Sequence, residues 1–379
     1  MSATLREQTL GSMRWVVVSG PAGDCFELLG AHTRASIQAA VTGWPLMERL
    51  RRHVSGGEGA ARLAAVCEDT ASALPDEWAE LAALAAGAGV AVEDLALLNF
   101  RGDLGQLEGG IGCSDLAWRR GRSFIAHNED QGVSMTGHAA LLTLAIEGLP
   151  RICAFWCPMF LPGNAFTLTG DGLVWSIDSL TVPDPARGAG RHFVARGLQR
   201  RCRTMDQAIE CLRAYRCASG FAYTIGDRSG RIAGVETVRG EVHVVEVGAG
   251  AGSSGEPAGE PAFWHTNHAR FLPGTAGEPG GDSHTRGDVL SLAPRPDGEP
   301  DAAWFLRLLA GAPLPDGVRV DPQTKESALT MCTFVADLTG GEAVLLARGD
   351  APAGIPLRSL TDGVTDGSRV LTDLAFQPR

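Results

Sequence analysis

Helix-period stretches and short apolar runs divide the chain into two regions of different character. In the first hundred residues one β-branched run, Arg14 to Ser19, predicts a strand. Helical spacing follows around Ala31 to Arg52, Ala60 to Ala73 and Pro75 to Ala86, where Trp78, Leu81, Leu84 and Ala85 recur on one face. Val92 opens another short helix that ends near Asn99. From about Ser123 the pattern changes to apolar or alternating runs bounded by Gly, Pro, Asn and Asp. Ser123 to His127, Ala140 to Ile146, Ile152 to Phe160 and Ala165 to Leu180 predict an antiparallel meander, with a hairpin turn at Asp171-Gly172. One long helix is predicted over about His192 to Tyr215, then strands at Ala222 to Gly226, Ile232 to Val238 and Val242 to Val247. A helix around Ala302 to Leu309 and a hairpin of Thr330 to Leu338 with Ala343 to Ala347, turning at Gly340-Gly341, close the pattern. Gly/Pro-rich patches at Gly248 to Pro261 and Pro273 to Gly281 predict long loops. The sum is an α+β fold with helices packed on antiparallel sheet.

Composition narrows the function classes. With 379 residues, 44% of them hydrophobic, the chain can bury a sizeable core as one large domain or two smaller ones. The net charge of −11 argues against a nucleic-acid partner. Lys325 is the only lysine, and no glycine-rich loop precedes it, which excludes a P-loop. Gly248 to Gly255 opens no helix, so it is no dinucleotide loop, and no Gly-x-Ser-x-Gly elbow stands between a strand and a helix. No apolar run approaches the ~18 residues of a membrane helix, and Trp15 to Val18 is too short for a signal peptide core. Nine cysteines without regular spacing predict free thiols in a reducing compartment, hence a cytoplasmic protein without a membrane partner. Cys153 and Cys157 read as core residues, because two cysteines alone make a poor zinc site.

The segment richest in chemistry is Gly109-Gly110-Ile111-Gly112-Cys113-Ser114-Asp115, followed by a strand ending in His127-Asn128-Glu129-Asp130. Gly112 leaves its carbonyl unobstructed, and the next residue is a thiol. An N-to-S acyl shift and hydrolysis at this bond would free Cys113 as a new N-terminus. Its α-amine, with a reference pKa of about 7.7–8.0, could then take the thiol proton near neutrality. One residue would supply both nucleophile and base.

These motifs, in this order, resemble the acyl-coenzyme A:6-aminopenicillanate acyltransferase family, the self-processing N-terminal-nucleophile enzymes of peptidase family C45. Ala88 to Leu104, Gly170 to Leu180, Trp264-His265-Thr266-Asn267-His268, Asp282-Ser283 to Arg286 and the final hairpin resemble further segments of that family. The resemblance implies a single four-layer αββα sandwich over residues 1–379. It also implies cleavage between Gly112 and Cys113 into chains 1–112 and 113–379, roughly 12 and 28 kDa, which stay associated. It assigns Cys113 as nucleophile, Asp130 as partner of the new α-ammonium and Asn267 as oxyanion donor. Asp130 alternates with Glu129, so Glu129 is expected to face the other way and to be structural. Asp115, two residues past the nucleophile, shares its face and is a candidate contact for a substrate amine. Ser114, Ser283 and Arg286 are further candidates for substrate binding, with a helix N-cap and a surface arginine as the plainer reading of the last two. His265 and His268 lack a third ligand at metal spacing and read as structural; no metal or cofactor is expected.

The family's penicillin-processing member has threonine after the cysteine and Trp-Asp-Trp where Glu129-Asp130-Gln131 stands here. Cys-Ser-Asp and His-Asn-Glu-Asp look closer to arthropod enzymes that hydrolyse N-β-alanyl amine conjugates. The expected activity is therefore cleavage of a small-molecule, non-peptide amide through a thioester acyl-enzyme. Three alternatives stay open: an acyl-coenzyme A-dependent N-acyltransferase, an uncut thiol enzyme using a histidine such as His127, and an inactive binding scaffold.

Overall fold

A computed structural model of the chain describes residues 2–105, 112–248, 260–274, 276–278, 281–324 and 327–372. Proline and threonine decide where its predicted long helices break. The stretch 31–52 forms parts of three helices, α1 (Ala22–His32), α2 (Arg34–Gly43) and α3 (Pro45–His53), rather than one. Pro45 starts α3 and keeps Trp44 extended at φ −76°, ψ 124°, because its ring disfavours helical geometry in the residue before it. Next come α4 (Gly57–Ala73), α5 (Pro75–Ala88) and α6 (Val92–Asn99). Pro75 begins α5, and Gly89 ends it in the left-handed region at φ 68°. The single helix expected over 192–215 is likewise two, α7 (Arg191–Arg201) and α8 (Met205–Ala214). Thr204 separates them by accepting the Gln207 N–H as an N-cap. Three more helices follow: α9 (Ser283–Ser291), α10 (Ala302–Ala310) and α11 (Leu357–Asp362).

The strands in chain order are β1 (Thr4–Leu10), β2 (Met13–Gly20), β3 (Ser114–Arg119), β4 (Ser123–Gly132), β5 (Ala140–Ile146), β6 (Ile152–Trp156), β7 (Thr167–Thr169), β8 (Val174–Ser179), β9 (Gly220–Gly226), β10 (Ile232–Val238), β11 (Glu241–Glu246), β12 (Ala262–His265), β13 (Ala328–Asp337), β14 (Glu342–Ala347), β15 (Ala353–Pro356) and β16 (Arg369–Val370). Among the described residues they form two sheets, ordered β1-β2-β5-β6-β7-β8-β9-β10-β11 and β12-β3-β4-β13-β14-β15-β16. From β5 to β11 the first sheet is the expected meander, with its β7–β8 hairpin at Asp171-Gly172. Two features depart from the expectation. The Ser123 strand pairs with β3 and β13 in the second sheet, and β2 runs parallel to β5. A parallel pair needs a long crossover, and the helices α1–α6 together with β3 and β4 supply it. The patch Gly248 to Pro261 falls largely outside the described residues, whereas most of Pro273 to Gly281 is described and, as expected, forms neither helix nor strand.

The layers follow from which side of each strand is apolar. On β3, β4, β13 and β14 one side carries Leu116, Trp118, Phe124, Ala126, Val335, Val344 and Leu346, which pack under Trp304, Phe305, Leu306 and Leu309 of α10. The opposite side carries Ala117, Ile125, Phe334 and Leu345 and belongs to the main core shared with the first sheet. Between the sheets Phe334 stacks on Phe166 at 4.1 Å with 5° between the ring planes. Helices α1 and α8 lie on the outer side of the first sheet, and α5 and α7 pack in that layer. The buried Arg196 of α7 donates to both Glu80 oxygens of α5 at 2.7 and 2.9 Å and fixes how these helices meet. The result is the four-layer αββα sandwich that the motifs imply.

Candidate active site

Strand periodicity places the reactive groups. β3 pairs with β4 so that Asp115 opposes His127 and Ser114 opposes Asn128; one step further, Cys113 falls opposite Glu129. Side chains alternate, so Cys113, Asp115, His127 and Glu129 all point between the sheets, while Ser114, Asn128 and Asp130 point toward α9 and α10. The neighbouring carboxylates face opposite sides of the sheet, as alternation predicts, and it is Glu129 that shares the side of the thiol. Glu129 Oε2 lies 3.9 Å from Cys113 Sγ. Asp130 accepts from Thr330 Oγ1 at 2.6 Å on the other side of the sheet, and its Oδ2 is buried without a partner. Alternation along the chain shows which residues share a face, while only the pairing register shows which face Cys113 occupies.

The inter-sheet groups form a hydrogen-bonded chain. His127 Nε2 meets Glu129 Oε2 at 3.0 Å, and its Nδ1 meets Asp115 Oδ1 at 2.7 Å. Asp115 Oδ2 accepts from Ser176 Oγ of β8 at 2.8 Å and Thr224 Oγ1 of β9 at 2.5 Å. Asp115 is therefore wholly buried and spent within the protein, which corrects its reading as a contact for a substrate amine. Burial and the Glu129 charge push the Cys113 thiol up to about 12. Burial opposes charge on His127, yet its hydrogen bonds to Asp115, the thiol and Glu129 raise it well above the ordinary histidine range. His127 thus bridges Asp115 and Glu129 through its two ring nitrogens.

A second buried chain runs alongside. His265 of β12 contacts Glu236 of β10 at 2.9 Å and Thr266 O, and its Nδ1 lies 3.3 Å from Asp178 Oδ2 of β8. Burial disfavours charge on His265, but Asp178 and Glu236 raise it to about 9. Asp178 accepts no well-aligned hydrogen bond at either oxygen. Burial, reinforced by the Asp115 charge, raises it to about 6. Sequence reasoning passed over Asp178 and Glu236 as site members, and named His127 only for the uncut thiol enzyme. Their only signal was a polar residue in the middle of an otherwise apolar strand.

Around the Gly112–Cys113 bond the remaining predicted residues do converge. Arg286 of α9 is buried and donates to Cys113 O, to Ser114 Oγ at 2.9 Å and to Asn267 Oδ1 at 2.7 Å, while its Nε holds Asp282 at 2.7 Å. Asn267 donates through Nδ2 to Ser179 O at 3.0 Å. Its own N–H donates to Ser283 Oγ at 2.9 Å, so Ser283 positions Asn267. A Cβ on Gly112 would lie 1.9 Å from Asn267 Oδ1 and 2.5 Å from Arg286 Nη2. Only glycine fits there without displacing both side chains. Helix α9, which hydrophobic periodicity did not reveal, is what brings Ser283 and Arg286 to this point.

Among the described residues no helix is long and apolar enough to cross a membrane. A search of curated proteins gives no match. Solved structures with similarity include a mutant of conjugated bile acid hydrolase from Clostridium perfringens, at 11% identity and TM-score 0.40, covering 69% of this chain and 96% of that one. Penicillin V acylase from Agrobacterium tumefaciens is similar at 10% identity and TM-score 0.37, covering 71% of this chain and 100% of that one. Residues 118–287 match the family model described as Acyl-coenzyme A:6-aminopenicillanic acid acyl-transferase, a segment that starts just after Cys113 and includes Asp130, Asn267 and Arg286. The resemblance carried by the sequence motifs holds: over residues 118–287 the chain has the pattern of the acyl-coenzyme A:6-aminopenicillanic acid acyl-transferase family.

Proposed function

We propose that the chain is an amide hydrolase or acyltransferase of the N-terminal-nucleophile type, and specifically a self-cleaving cysteine amidohydrolase acting on small non-peptide amides. The observation that carries this reading is the fit at Gly112–Cys113: a glycine packed directly against Asn267 and Arg286, followed by a residue whose carbonyl accepts from Arg286 and whose thiol faces Glu129 and His127.

In the uncut chain Cys113 has no free α-amine, so another group must take the thiol proton. Glu129 is in place to do so, and His127 beside it stabilises the carboxylate. Sγ then attacks the Gly112 carbonyl carbon, the C–N bond breaks, and the proton passes to the departing Cys113 nitrogen. Water hydrolyses the resulting thioester, leaving a Gly112 carboxylate and a free Cys113 α-amine. In the cut enzyme that amine accepts the thiol proton as Sγ attacks the substrate carbonyl. Asn267 spends one of its two amide N–H groups on Ser179 O and has the other for the oxyanion. The amine product leaves with the proton, and water releases the acid. The buried, unpartnered Asp130 Oδ2 supports its role as acceptor for the new α-ammonium. Burial already raises this carboxyl to about 7, and a buried carboxylate with one oxygen unpartnered is costly until a cation arrives.

A second reading has its own support. Cys113, His127 and Asp115 are linked as a nucleophile, a histidine and an orienting carboxylate, which suits an uncut thiol enzyme. Intact mass under denaturing conditions separates the two. Chains of about 12 and 28 kDa beginning at Met1 and Cys113 support self-cleavage. A single active 39.7 kDa chain supports the uncut enzyme.

A further inference from the structure

We propose that Cys113, His127 and Glu129 form a zinc site that holds the nucleophile latent until the metal is withdrawn. No spacing along the chain signals it, because the three ligands come from two strands and are brought together only by register. Their donor atoms all lie within 4.8 Å of one another, with Nε2 to Oε2 at 3.0 Å and Sγ to Oε2 at 3.9 Å. Zinc takes sulfur at about 2.3 Å and nitrogen or oxygen at about 2.0–2.2 Å, so tetrahedral donors stand roughly 3.3–3.6 Å apart. Shifts of under about 1 Å bring this set to that spacing. A thiolate with an imidazole selects zinc over magnesium or calcium, which prefer oxygen alone.

The surroundings are those of a metal-binding histidine. Nδ1 of His127 is held on Asp115 at 2.7 Å, which turns Nε2 toward the thiol and Glu129. Ser176 and Thr224 hold Asp115 in turn. Such a carboxylate behind the histidine fixes ring orientation and strengthens the ligand. All three ligands are buried, so the positive ion would also offset carboxylates crowded between the sheets. Binding takes the Cys113 sulfur as thiolate and Nε2 of His127 without a proton, so the displaced protons pass to solvent with no change of oxidation state. Three protein ligands leave a fourth position. In the uncut chain water fills it; in the cut chain the α-amine of Cys113 can close a five-membered chelate with its own sulfur. A metal-bound thiolate is a poor nucleophile, and a coordinated amine cannot accept a proton. Zinc therefore blocks maturation and turnover alike.

Binding needs neither cleavage nor turnover, so its test stands apart from the proposed activity. The full chain would be titrated with Co²⁺ as a spectroscopic probe and with Zn²⁺ against a colorimetric chelator. One metal per chain, with a thiolate-to-cobalt charge-transfer band that disappears in Cys113→Ala, is expected. Glu129→Gln should weaken zinc binding, and Asp115→Asn should do so by roughly 10–100-fold. Asp178→Asn should leave it intact, which distinguishes this site from the neighbouring Asp115, His127 and Asp178 set. A missing charge-transfer band in wild type, or equal zinc uptake by Cys113→Ala and Glu129→Gln, overturns the proposal.

Discussion

Replacing Gly112 by alanine tests the site with one added carbon. Gly112 does not occupy the left-handed backbone region, so alanine alters contacts without imposing backbone strain. Its Cβ would lie 1.9 Å from Asn267 Oδ1, 2.5 Å from Arg286 Nη2 and 2.6 Å from Asn267 Cγ. Ordinary contact begins near 3.4 Å, so Asn267 must retreat by about 1.5 Å (3.4 − 1.9). It cannot do so while keeping both the Arg286 bond at 2.7 Å and the Ser179 bond at 3.0 Å. A misplacement of about 1 Å costs a reaction on the order of 100-fold, and loss of an oxyanion donor about 100–1,000-fold. Self-cleavage of Gly112→Ala should therefore slow by about 100–1,000-fold. Once cut, residue 112 is a free chain end and can move aside, so matured Gly112→Ala should turn over amides at close to the wild-type rate. Intact mass over time reads the first quantity, and product formation per mole of cut enzyme reads the second. Cleavage at the wild-type rate would refute the placement of Asn267 and Arg286 at the scissile bond.

Four further outcomes follow from the same geometry. Cys113→Ala should stay folded as one 39.7 kDa chain and hydrolyse no amide, and full hydrolysis by this variant would remove Cys113 from the mechanism. Asp115→Asn should lower His127 toward the ordinary histidine range by replacing the acidic partner of its Nδ1 with a neutral amide, visible as a shifted imidazole titration by NMR. Asp130 is raised to about 7 in the folded chain, so it binds its proton more tightly than the unfolded chain does. Its contribution to stability is complete below its unfolded value of about 3.9 and is lost as pH rises through about 7. Asp130→Asn in the uncut Cys113→Ala background should flatten the fall of Tm over that window; an unchanged slope would contradict the burial argument. Arg196→Ala should destabilise by about 1.5–3 kcal/mol in urea titration, because buried Glu80 loses two charge-assisted hydrogen bonds. The second contact of Glu80, Arg200 at 2.5 Å, sets the lower end of that range.

Much of this protein was legible along the chain. β-branched runs, turn dipeptides and helical spacing located most strands and helices, since these signals depend on neighbours within a few residues. The motifs around Gly112–Cys113, Asn267 and Arg286 named residues that do meet. The helix breaks at Trp44-Pro45 and Thr204 carried readable signals in proline and an N-cap threonine, which continuous apolar periodicity outweighed. What the sequence could not decide was face and company. Glu129 rather than Asp130 faces the thiol because β3 and β4 pair in one register, and a shift of one residue would exchange them. Asp115 is consumed by Ser176 and Thr224, which lie on the opposite sheet 61 and 109 residues away in sequence. Local sequence determined most elements and singled out Cys113; the packing of two sheets decided which buried charges surround that thiol, because such pairings are made across space between strands that share no local pattern.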